Sequence, residues 1–144
     1  MSHRFNPIPA ESPLFIDLEH RSIALFDTLK VLKLIDSLKV FDAEDIDAMG
    51  HDINRLAYES FSATLDRSLD RESVSRLIED GGRVRDLIAA LRDGCDPGVS
   101  VVMDYVSGTV ATAVDTLQSL LAMLPQDAGK SLRDVITFSR ARIA

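Results

Sequence analysis

Asp104 and Asp115 have the strongest claim to chemistry. They are the only charged side chains in a long apolar segment spanning residues 97–124. Eleven residues separate them, close to three turns of a helix, so a helix aims both the same way. The same face carries the small side chains Ser107, Gly108 and Ala111. Two carboxylates lining a polar cleft suit cation binding or general acid–base work. At 1.5 Å per residue, however, they stand about 16 Å apart, too far to act on one bond. The simpler expectation is two carboxylates on the wet side of one helix.

The other possible sites are weaker. Gly129-Lys130-Ser131 resembles the end of a phosphate-binding loop, but Leu124 stands where the first glycine belongs and an apolar helical segment, not a strand, precedes it. Di-metal helical bundles use Glu-x-x-His pairs on facing helices. Here the nearest matches are Asp17-x-x-His20 and Asp47-x-x-x-His51, so neither a metal nor a cofactor is expected. Cys95 precedes a helix start, which can activate a thiol, but spacing assigns it no histidine base. No catalytic residue emerges, and the chain reads as a non-enzyme.

Composition narrows the classes further. The chain is 46% hydrophobic and 27% charged, enough apolar matter for a packed core. It has no Trp, so that core must be largely aliphatic. A net charge of -7 opposes phosphate backbones and anionic membranes. The local basic surplus at Lys130, Arg133, Arg140 and Arg142 lacks the interleaved aromatics of a single-strand binder. Neither nucleic acid nor membrane is expected as a partner. The single cysteine and the absence of an apolar signal near the N-terminus point to the cytoplasm. Asp and Arg outnumber Glu and Lys, a bias that points to a bacterial source.

The elements that must position these residues read as helices. No sustained period-two alternation and no hairpin signal occurs. Residues 1–13, with Pro7, Pro9 and Pro13, form an extended arm that is either loose or packs Phe5 or Ile8 on a neighbour. Helix A is expected from Leu14 to Phe41. Helix B follows Asp42 to about Leu69, and helix C follows Asp70 to Asp93-Gly94. Helix D runs from the Asp96-Pro97 turn to Leu124, and helix E from Asp127 onward. Gly81-Gly82 either breaks helix C or admits another backbone. Helix D is long enough to cross a membrane, but its two aspartates and acidic flanks argue against it.

Short connections make sequential helices antiparallel neighbours. The expected fold is therefore all-α: an up-and-down bundle of four long helices plus a shorter C-terminal helix, one domain over 14–144. Helix A is apolar on both flanks of its polar line (His20, Asp27, Lys30, Lys33, Ser37), more than one side of a small bundle needs. That excess predicts a homodimer, with Leu25, Phe26, Leu29, Leu32, Gly108 and Ala111 as the candidate interface. The functional expectation is a non-catalytic interaction protein of adaptor, regulator, antagonist or export-chaperone type, with a protein partner. The alternatives are a ligand-binding or catalytic bundle with its cleft near Asp104 and Asp115, and an acidic mimic of nucleic acid centred on the carboxylates from Asp42 to Asp52.

Overall fold

A computed structural model describes residues 8–124, which form four α-helices and no strand. They are α1 (Pro13–Ser37), α2 (Ala43–Asp66), α3 (Arg71–Arg92) and α4 (Pro97–Met123). Each start has a chemical reason. The Ser12 hydroxyl accepts from Leu14 N–H, and Pro13 opens α1, where a missing donor costs nothing. The Asp70 carboxylate accepts from Ser73 N–H at 2.8 Å, and Asp96 accepts from Gly98 N–H at 2.9 Å ahead of Pro97. Asp42 takes the cap position of α2 but makes no side-chain capping bond; its carbonyl accepts from Asp45 and Ile46 instead.

Two ends fall earlier than the apolar pattern predicts. α1 stops at Ser37, not Phe41, because Lys39 adopts a positive φ of 56° and its N–H turns back to the Asp36 carbonyl. α2 stops at Asp66, short of Leu69, because Arg67 does the same at φ 52° and its N–H reaches Ala63. Both are left-handed closures that end a helix sharply.

The arm before α1 is not extended where it is described. Pro9 carbonyl accepts from Ser12 N–H at 3.0 Å, forming a turn that sends Ile8 into the core, where it is 2% exposed. Residues 1–7 and the expected helix E lie outside the described residues.

The helices pack in a ring: each touches its successor, and α4 closes against α1. Cross-contacts set the directions. Asp17 of α1 accepts from Thr116 near the end of α4. Arg71 at the start of α3 donates to the Leu121 and Leu124 carbonyls at the end of α4, and Arg92 at the end of α3 pairs with Asp104 near the start of α4. The Arg67 guanidinium lies 5.6 Å over the Phe15 ring, joining the end of α2 to the start of α1. Neighbours are thus antiparallel. The core is aliphatic, as the lack of Trp requires; Phe15 is the one fully buried aromatic among the described residues.

Gly81-Gly82 does not break α3, which runs through both. Gly81 is the close approach: a Cβ built there lies 2.4 Å from Val114 Cγ2 on α4. Gly82 and Gly108 have open space where a side chain would go. No helix among the described residues is long and apolar enough to cross a membrane.

Candidate functional site

Side chains with chemistry meet in two places. The first is a groove between α1 and α4, with a volume of about 380 Å³, lined by Arg21, Ala24, Asp104, Tyr105, Gly108, Thr109 and Thr112. Its polar groups are mostly engaged already. Asp104 is exposed and holds Arg92 at 2.9 Å. The Thr109 and Thr112 hydroxyls donate to carbonyls one turn back in their own helix, at 2.9 and 2.8 Å. Arg21 pairs with Asp17 at 3.4 Å, and its Nε is buried without a partner. Asp115, the other carboxylate singled out from sequence, is exposed and does not line this groove. The structure therefore does not bring Asp104 and Asp115 to one reacting centre.

The second place is the seam between α2 and α3. The Asp80 side chain is 1% exposed and is gripped by Arg55, whose Nε and Nη2 donate to its two oxygens at 2.8 Å each. Arg83 also donates to Asp80. Asp52 completes the cluster, 3.3 Å from Arg55 and 3.4 Å from Arg83. Two carboxylates and two guanidiniums alternate, so every charge has an opposite neighbour. The hydrogen bonds Arg55 donates to Asp80, and then the charge of that carboxylate, hold Arg55 above its ordinary pKa, and the hydrogen bond to Asp52 does the same for Arg83. Both arginines stay cationic at any accessible pH. This is a bidentate, charge-assisted clasp between helices, and it leaves no free base or nucleophile. The Arg83–Glu79 pairing that an i,i+4 spacing suggests gives way to this clasp.

The remaining sequence candidates are accounted for singly. Cys95 is half-buried, and its thiol donates to the Leu91 carbonyl at 2.8 Å, which ties it to the end of α3. His20 and His51 are exposed. No group of three metal-ligating side chains occurs among the described residues. Of the expected interface residues, Leu25 and Leu32 are buried in the core and Phe26 and Leu29 pack against it. Ala111 is half-buried, and Gly108 is exposed beside the α1–α4 groove.

The apolar excess of α1 therefore emerges elsewhere. Ile16, Ile23, Leu34 and Leu38 face outward, at 48%, 49%, 68% and 60% exposure. They share an outward line with His20, Asp27 and Lys30, all exposed. The steps along 16, 20, 23, 27, 30 and 34 alternate between four and three residues, so these side chains lie on one face of the helix. Meanwhile Ser22 and Thr28 of the same helix are fully buried, their hydroxyls donating to the Leu18 and Leu25 carbonyls at 2.8 and 2.6 Å. On α1 two hydroxyl side chains, Ser22 and Thr28, point in while Ile16, Ile23 and Leu34 point out. A helix evolved only to face water has no use for that exchange.

Comparison with protein-family models, with curated proteins and with solved structures finds no match.

Proposed function

We propose that this protein is a non-catalytic protein–protein interaction module of the cytoplasm, and that its contact surface is the outer face of α1. The observation that carries the reading is the outward set Ile16, Ile23 and Leu34 on a helix that buries Ser22 and Thr28. Exposed apolar side chains on one face of a helix, interspersed with polar ones, are what a partner helix recognises. The charged side chains of the α2–α3 seam favour the same reading. The Asp52–Arg55–Asp80–Arg83 cluster is consumed in holding two helices together.

A photo-crosslinking residue placed at Leu34 tests this directly, with the same residue at Arg76, exposed on α3, as the control. The expected result is a covalent adduct with another protein chain from position 34 and none from position 76. Adducts from position 76 alone, or from neither position, contradict the reading.

The α1–α4 groove favours a second reading, a small-molecule site. Its volume of about 380 Å³ lies at the low end of the roughly 300–1,000 Å³ typical of ligand pockets, and Arg21 Nε lacks a partner there. It ranks below the first because Arg21 Nε is itself buried and the polar groups that line the groove bond within the chain or face water.

A further inference from the structure

We propose that the outer face of α1 is covered by the α1 of a second copy of this chain, packed antiparallel about a two-fold axis passing between residues 28 and 29. The proposal rests on the reading of that face given above and adds the occupant and the register.

The outward line is largely complementary to itself. About this axis Ile23 lies opposite the second copy's Leu34, and Leu34 opposite its Ile23. Asp27 lies opposite the second copy's Lys30, and Lys30 opposite its Asp27. His20 meets Ser37, polar against polar, at the end of the helix. A two-fold contact must be complementary to itself, and positions 20, 23, 27, 30, 34 and 37 each find a partner of matching character. Within one chain Lys30 Nζ and Asp27 Oδ1 are only loosely paired, at 3.9 Å, with side chains 83% and 60% exposed. Both are free to be re-paired across an interface.

Competing arrangements fail on the same residues. A parallel pairing sets Asp27 against Asp27 and Lys30 against Lys30. Sliding the antiparallel pair by one heptad in one direction sets Asp27 against Ile23; sliding it the other way sets Lys30 against Leu34. Each puts like charges together or a charge against an apolar side chain, which selects against that register.

Charge balance points to the same helix. The protein carries a net -7, so two copies repel unless they meet where the charge cancels. In α1 the acids Asp17, Glu19, Asp27 and Asp36 are nearly balanced by Arg21, Lys30 and Lys33. In α2, by contrast, Glu44, Asp45, Asp47, Asp52, Glu59 and Asp66 face Arg55 alone. α3 is also near neutral, with four acids against five arginines, but the outward apolar side chains are on α1.

The test is a charge swap in the full chain, read by sedimentation velocity over a range of concentrations. Asp27→Lys alone and Lys30→Asp alone each create two like-charge contacts at the centre and weaken self-association at least about tenfold. The double variant Asp27→Lys/Lys30→Asp restores it. An equimolar mixture of the two single variants forms a heterodimer, because all its central contacts are then opposite in charge. Unchanged urea midpoints show that the variants fold. A wild-type chain that stays monomeric overturns the proposal. So do single variants that associate like wild type, or a double variant that does not recover. Those failures leave the α1 contact surface itself to be decided by the crosslinks from position 34, so the two readings fail separately.

Discussion

Replacing Arg55 by Leu is expected to cost the fold about 3 kcal/mol, more than replacing its partner Asp80 by Asn. The asymmetry follows from where the two charges sit. Asp80 is buried, at 1% side-chain exposure, whereas Arg55 reaches water at 38%. Removing Arg55 takes away both of the 2.8 Å bonds it makes to the carboxylate and leaves a buried charge to Arg83 alone. Removing the carboxylate leaves two arginines that still have Asp52 and solvent. Asp80→Asn should therefore cost only about 1–2 kcal/mol, the range for a lost charge-assisted bond whose remaining partner can rehydrate. Replacing Arg55 and Asp80 together by Leu should recover part of the loss, because no buried charge is then stranded. Urea denaturation of the three variants checks the order. Equal costs for Arg55→Leu and Asp80→Asn would show that the clasp does not depend on the burial of Asp80.

Two adjacent glycines give the second large effect, with opposite signs. Gly81→Ala should destabilise by about 1–3 kcal/mol even though alanine favours helices, because its Cβ falls 2.4 Å from Val114 Cγ2 and 3.4 Å from Val110 Cγ1. Valine is stiff at χ1, so its methyl group cannot simply swing aside. Gly82→Ala meets nothing within 4 Å and should stabilise by up to about 1 kcal/mol. Val114→Ala makes room, so the pair Gly81→Ala/Val114→Ala should show a favourable coupling in a double-mutant cycle. Thermal unfolding of both single variants is the check, and a stabilising Gly81→Ala would mean that α3 and α4 sit farther apart.

The contrast between what was legible in sequence and what was not has physical causes. Helix starts were legible because capping is local: Asp70 and Asp96 bond to amides two or three residues away. Helix ends at Lys39 and Arg67 were not, since neither residue type advertises a positive φ. The clasp was hidden because Arg55 and Asp80 are 25 residues apart and become neighbours only when α2 packs on α3. Gly81 was recognisable as a break or a close approach, and only the position of Val114 on α4 decides between them. On α1 the periodic pattern offered two apolar flanks with no means of choosing the inward one. Seryl and threonyl hydroxyls that bond back to their own helix let Ser22 and Thr28 take core positions. Ile23 and Leu34 point outward instead, and Leu25 and Leu32 lie in the core.

The most direct test of association through the outer face of α1 is sedimentation velocity of the wild-type chain beside the variant Ile23→Lys/Leu34→Lys. Both positions are half or more exposed, at 49% and 68%, so the variant should keep its helix content and urea midpoint. The expected result is a wild-type mass that rises with concentration toward a dimer and a variant that remains monomeric. A wild-type chain that is monomeric throughout, or a variant that associates as tightly as wild type, contradicts it.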